Sequence, residues 1–364
     1  MQALDPARFN GTVNGREVGL FALRSSRLQA SFCNHGARLL QLAVPDRDGR
    51  WRDVVMGFDS LAQLLQGLPS MGAFIGRQAN RLGQSRCVLD GREIRVPAND
   101  GAHCLHGGPG GSRHRVFEVR LHTVDRLGLA WTFRSDDDGF PGTVDLQVDY
   151  RLVSSALVID YSAKVHDAPT PLNFTSHGFF NLEGADASNV LGHELQIDAD
   201  HYVPVDAQRI PLGSVATVEG TGMDFRVPRV IGEALAQASA KGDAQVMLGA
   251  VPGFDHAFVT WRTGLDTPSW HRQARLYAPA SGIAMEVWSD APSLQFYSGA
   301  AMDGSQPLHA GKWGRVHRSA AAVCLEPQHL PDAPNHAGFG RWAYPPGETL
   351  RGRIEYRFST DRAS

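Results

Sequence analysis

The stretch VDLQVDYRLVSSALVIDYSAKV, from Val144 to Val165, decides the fold class. Apolar side chains fall at Val144, Leu146, Val148, Tyr150 and Leu152, with Asp145, Gln147, Asp149 and Arg151 between them. After Ser154-Ser155 the phase resets to Leu157, Ile159, Tyr161, Ala163 and Val165. Successive side chains of an extended chain point to opposite faces. Each run therefore offers one face to a core, and the short polar break between them predicts a hairpin.

The same period of two recurs elsewhere. Cys87-Val88-Leu89 and Ile94-Arg95-Val96 flank Asp90-Gly91, a favoured tight-turn pair. Ile283, Met285 and Val287 alternate, as do Leu350, Ile354, Tyr356 and Phe358. Helical signals are short: Ser60 is placed to cap a turn bearing Leu61, Leu64 and Leu65, and Ile231 to Ala240 reads as a second helix. The 39 glycines and 21 prolines are spread as turn punctuation, with no linker and no internal repeat. The expected architecture is all-β: one large antiparallel β-sandwich domain over residues 1–364 with a few short helices. Function is expected on its loops or on a concave sheet face.

Composition narrows the partners. The chain has 364 residues, 42% hydrophobic and 20% charged, which supplies a large core. A net charge of -3 gives no basic surface for phosphate backbones or anionic lipid, so neither nucleic acid nor membrane is expected. Only Lys164, Lys241 and Lys312 are lysines, leaving few candidates for Schiff-base chemistry. Cys33, Cys87, Cys104 and Cys324 form no C-x-x-C pair and are expected as buried, reduced thiols. Met1 to Asn10 contains no apolar run, so no signal peptide is read and a cytoplasmic location is expected.

Four clusters concentrate ionisable residues between glycines or strand-like segments: Ile75 to Leu82, Cys104 to Gly108, Phe174 to Leu182 and Cys324 to Asn335. Singly, each has an ordinary explanation. Arg77 and Arg81 read as surface charges, His106 as a turn residue, His177 as a half-buried histidine, and Glu326 as the end of a strand before Pro327. His103 and His106, with His329, Asp332 and His336 downstream, suggest a metal site only weakly, because the glycine-rich context argues against a shared helix face. Asp136-Asp137-Asp138-Gly139 reads as an acidic turn. No G-x-S-x-G, G-x-G-x-x-G or Walker sequence occurs.

Together and in this order, the motifs resemble those of the aldose 1-epimerase (galactose mutarotase) family. The matching pieces include Gly76-Arg77-Gln78-Ala79-Asn80-Arg81-Leu82, Leu105-His106-Gly107-Gly108, Ser176-His177-Gly178-Phe179-Phe180-Asn181-Leu182 and Leu325-Glu326-Pro327-Gln328. Phe254-Asp255-His256-Ala257-Phe258 and Leu294-Gln295-Phe296-Tyr297 also match, and similarity runs from about Asn34 to Phe358. Gln78 and Cys104 depart from the family pattern.

The resemblance implies a galactose mutarotase-like supersandwich and interconversion of the α and β anomers of a free aldohexose. It implies Glu326 as general base, His177 as general acid and His106 as a second active-site histidine. Asn80, Arg81, Asp255 and Gln295 are implied as contacts to sugar hydroxyls. Phe179, Phe180, Phe296 and Tyr297 are candidate platforms for the sugar ring. No cofactor and no metal are expected, and the protein is expected as a monomer or homodimer whose partner is the sugar.

The chemistry asks for a base at the anomeric hydroxyl and an acid at the ring oxygen, which exchange roles on reclosure. At reference pKa values of about 4.3 and about 6.5, the glutamate starts ionised, and its charge is expected to keep the proton on His177. Two alternatives remain open at this point. A hexose-6-phosphate epimerase would need Arg38, Arg77 or Arg113 near the sugar's sixth carbon, and a non-catalytic sugar sensor would be expected to lack Glu326 or His177.

Overall fold

The computed structural model describes residues 2–247, 251–261 and 269–361. The opening stretch forms the predicted hairpin. Strands Val144–Val153 and Ala156–Val165 pair antiparallel from Val144–Val165 to Val153–Ala156, leaving Ser154-Ser155 as the turn. Its apolar set is buried throughout, while Asp145, Gln147, Asp149 and Arg151 face outward. Leu89 pairs with Arg92 around Asp90-Gly91, both with positive φ, as the turn residues require.

This hairpin lies within a nine-stranded antiparallel sheet. The order is Glu118–His122, Arg126–Phe133, Val144–Val153, Ala156–Val165, Thr349–Thr360, Ile283–Ser289, His271–Ala278, Glu194–Ile197 and Arg229–Val230. A four-stranded sheet runs from Leu20–Arg24 to Trp51–Asp53, and a five-stranded sheet contains Asp255–Val259, Ser293–Tyr297 and Cys324–Gln328. One apolar cluster joins all three, with Phe32 and Leu42 from the four-stranded sheet, Val148, Ile159 and Tyr356 from the nine-stranded, and Phe258, Phe296 and Leu325 from the five-stranded.

Helix Leu61–Gln66 is capped by Ser60, whose hydroxyl accepts from the Gln63 amide, and the second helix spans Ile231–Ala240. Leu61 and Leu64 are buried but Leu65 is half exposed, because a single short turn has room for only a narrow apolar stripe. Among the described residues no helix is long and apolar enough to cross a membrane. All four cysteines are free and buried.

The surface reading of Arg77 is overturned. Arg77 is fully buried, and its guanidinium makes a two-point contact with Asp138 at 2.9 Å on each side. It also donates to the carbonyls of Pro141, Gly142 and Arg134. Asp136–Gly139 does form a turn, but one whose Asp138 points inward. A donor-only fork satisfies buried loop carbonyls that no strand reaches, which is why an arginine rather than an apolar residue fills this space.

The pair gives a stability prediction. Asp138→Asn leaves the Arg77 cation buried beside a neutral amide, and urea unfolding should show a loss of about 3–5 kcal/mol. Stability within about 0.5 kcal/mol of wild type, the range of ordinary surface substitutions, would show that the pair is dispensable.

Candidate active site

Three adjacent strands of the five-stranded sheet form one wall of the site. Gln295 stands directly opposite both Ala257 and Glu326, and Tyr297 stands opposite Asp255 and Cys324. Cross-strand partners share a face, so Asp255, Gln295, Tyr297 and Glu326 project from one side of the sheet. Phe258, Leu294, Phe296 and Leu325 project from the other, into the core.

Two short ladders supply the opposite wall. Arg81–Leu82 pairs with Cys104–Leu105, and the contact continues as the His106 amide donates to the Asn80 carbonyl. Thr175–Ser176 pairs with Phe74–Ile75, and His177 prolongs that ladder through its amide to Ala73 and its carbonyl to Gly72. Gly107 has φ +75°, and a Cβ there would lie 2.7 Å from the Gly76 carbonyl oxygen. Only glycine lets the chain turn this tightly after His106.

The result is a cavity of about 170 Å³ lined by Asn80, Arg81, His106, His177, Phe179, Asp255, Gln295 and Glu326. These eight residues therefore reach one hollow, although the four clusters lie far apart in the chain. A second hollow of about 240 Å³, beside Tyr161, His271, Asp290 and Leu350, contains none of them.

At the centre, His177 Nε2 lies 3.6 Å from Glu326 Oε1, close but beyond hydrogen-bond length. The second carboxyl oxygen of Glu326 and Nδ1 of His177 have no partner among the described residues. The His177 ring stacks on Phe179, with centroids 5.0 Å apart and planes 7° apart, and meets the His106 ring edge-on at 5.1 Å. The Asn80 amide donates to His106 Nδ1 at 3.1 Å, so the His106 proton is assigned to Nε2.

Asp255 is held by the Gln295 amide at 2.7 Å, with Arg209 Nε 3.3 Å and Arg81 Nη1 3.8 Å from its other oxygen. Arg81 is anchored in turn by Asp100 at 2.8 Å.

Burial opposes the expected protonation. Desolvation, aided by the positive charge of Arg113, pushes His177 down to about 3. Desolvation together with the charge of Asp255 holds Glu326 well above the usual carboxylate range. Burial beside His177 and Arg113 likewise keeps His106 well below the usual imidazole range. Burial therefore disfavours charge on both groups and moves the preference for the proton away from His177 and toward Glu326.

Some expectations need correction. Phe180 and Phe296 are core residues, each one position away from a cavity-facing neighbour and hence on the opposite face. Of the four aromatic candidates, Phe179 and Tyr297 line the hollow. Arg38 and Arg77 are fully buried and bound to backbone carbonyls, so neither is available to a phosphate group. Gln78 and Cys104 are both buried and neither lines the cavity.

Leu105 of the His106 motif also lines it, as do Leu68, Ser70, Arg209 and Ala301, which sequence reading did not single out. For Arg209 the turn Val205-Asp206-Ala207-Gln208-Arg209-Ile210-Pro211 was a legible loop signal. Ser70 has no comparable signal.

Comparison with known proteins supplies the family. The family described as Aldose 1-epimerase matches residues 20–357. Galactose mutarotase of Rattus norvegicus is 36% identical over 349 residues, 95% of each chain. Aldose 1-epimerase of Escherichia coli (strain K12) is 33% identical over 352 residues, 95% of this chain and 96% of that one. The crystal structure of an aldose epimerase homologue from C. elegans superimposes with a TM-score of 0.84 at 30% identity, covering 94% of this chain and 99% of that one. With a match from Leu20 to Arg357 and relatives aligned along almost their whole length, this chain belongs to the aldose 1-epimerase family.

Proposed function

We propose that this protein is an isomerase that interconverts the α and β anomers of a free aldohexose such as galactose or glucose. The observation that carries this reading is the facing carboxyl and imidazole of Glu326 and His177, 3.6 Å apart in the wall of a polar cavity. The relatives named galactose mutarotase and aldose 1-epimerase support the substrate class.

In this reading Glu326 takes the proton of the anomeric hydroxyl while His177 gives one to the ring oxygen, and the hemiacetal C–O bond breaks to leave the open-chain aldehyde. Rotation about the C1–C2 bond presents the other carbonyl face. His177 then recovers its proton from the chain hydroxyl, Glu326 returns one to the new anomeric oxygen, and the ring closes. Glu326 gains a proton as His177 gives one up, and reclosure reverses both transfers, so the pair holds one proton throughout. The neutral pair favoured by burial is the partner of the open-chain sugar. A closed sugar donates to the carboxylate and accepts from the imidazolium, which favours the ionised pair.

His106 presents its Nε2 proton to a sugar oxygen, and Asp255, Gln295, Arg81 and Asn80 hold the remaining hydroxyls. Phe179 backs the His177 ring and so fixes its angle.

Polarimetry on freshly dissolved α-anomer tests the roles. Glu326→Gln and His177→Asn should each lower kcat by about 10²- to 10⁴-fold with melting temperature retained. Near-normal turnover in either variant removes that residue from proton transfer. A wild type no faster than buffer on common aldoses would remove the activity itself.

The pair also sets a pH profile, since kcat/KM reports groups of the free enzyme. His177 stays neutral down to about 3. Below that value a second proton removes the base, and above the raised pKa of Glu326 loss of the only proton removes the acid. No arm of the profile should therefore come from His177 at about 6.5, where an unperturbed imidazole titrates, and the alkaline arm should lie above the ordinary carboxylate range. A His177 imidazole that titrates at about 6.5 by NMR would contradict its lowered pKa.

A further inference from the structure

Ser70 lies on the loop between the first helix and strand Phe74–Ile75, and with Leu68 it lines the cavity. Its hydroxyl accepts from Arg113 Nη1 at 2.9 Å. A guanidinium only donates, so the Ser70 proton cannot be shared with Arg113. Among the described residues no other group accepts it. The proton is left for the cavity, with an oxygen acceptor as its natural partner.

Arg113 is buried, and its remaining contacts are His114 Nε2 at 3.1 Å and the Leu105 carbonyl at 3.2 Å. No carboxylate among the described residues forms an ion pair with it. A buried cation bonded to a hydroxyl oxygen pulls electron density from the O–H bond and makes that hydroxyl a better donor.

The loop is also fixed on both sides of Ser70. Arg38 donates to the carbonyls of Pro69 at 2.9 Å, Met71 at 2.5 Å and Arg113 at 3.2 Å. The Gly72 amide donates to the His177 carbonyl at 2.9 Å, which ties the loop to the residue bearing the imidazole.

We infer that Ser70 is a substrate-contacting residue whose hydroxyl donates to one oxygen of the bound aldose, with Arg113 as the positioning residue that aims it. The inference rests on the mutarotase reading of the cavity and adds a contact to it. Because this donor meets the closed and the open sugar alike, it contributes to binding more than to the proton transfers, and its loss raises KM while leaving kcat in place.

Saturation kinetics on galactose and glucose test it. Ser70→Ala should raise KM by roughly tenfold, as for loss of one charge-assisted hydrogen bond, with kcat within about twofold. Against a panel of monodeoxy sugars, wild type should lose affinity for the one lacking the partner oxygen, and Ser70→Ala should not distinguish it from the parent sugar.

In a double-mutant cycle, Arg113→Lys together with Ser70→Ala should have the KM of Ser70→Ala alone, since Arg113 acts through the hydroxyl. Ser70→Ala with wild-type KM on every aldose overturns the contact, and additive KM effects overturn the positioning role. Calorimetric titration of galactose into both proteins reads the same contact without turnover. A wild type that binds sugar without accelerating mutarotation would therefore sink the proposed activity and leave the Ser70 contact to be judged by the binding difference.

Discussion

Two ionisable side chains held almost dry and 3.6 Å apart govern the rest of this site. Glu326 and His177 are each more than nine-tenths hidden from solvent, and neither can carry its charge at its ordinary pKa. Burial disfavours both the doubly protonated and the fully deprotonated pair, and a pair holding one proton is what ring opening and reclosure need. The surroundings follow from that constraint. Phe179 backs the imidazole, Arg113 discourages a second proton on it, and Asp255 discourages early loss of the proton on Glu326.

The scaffold supplies this arrangement by a division of labour. The nine-stranded sheet and its partners bury apolar side chains over a continuous core, and the five-stranded sheet turns one face to that core and the other to the cavity. Strand register alone brings Gln295 beside Glu326 and Tyr297 beside Asp255. The opposite wall combines two short ladders with loops, whose buried carbonyls need donors that no strand provides. Arg38, Arg77 and Arg113 fill that need, each binding carbonyl groups with a rigid fork of N–H donors. Arginines that look like surface charge in the sequence are thus the fasteners of the loop wall.

Much of this was legible before any coordinates. The alternation from Val144 to Val165 predicts a hairpin with its buried face and turn, and Asp90-Gly91 marks a second. The eight expected site residues converge on one cavity, a convergence implied by family resemblance, since no local pattern connects Asn80 with Glu326.

What was hidden has physical causes. Nothing in a linear sequence separates a buried arginine from an exposed one, so Arg77 read as a surface charge and its partner Asp138 as part of an acidic turn. The period of two, applied outward from Gln295 and Phe179, would have sent Phe296 and Phe180 to the core. Protonation of His177 depends on desolvation, which is a property of the closed cavity and not of neighbouring residue types. Arg209 and Ser70 reach the site through loop geometry alone.

A crystal structure of the protein soaked with galactose tests the central claim most directly. The account predicts the pyranose in the hollow beside Phe179, with its anomeric hydroxyl against Glu326 and its ring oxygen against His177, so that one hemiacetal linkage spans the pair. A sugar seated in the other hollow, beside His271 and Asp290, or one that turns its anomeric carbon away from Glu326, would contradict it.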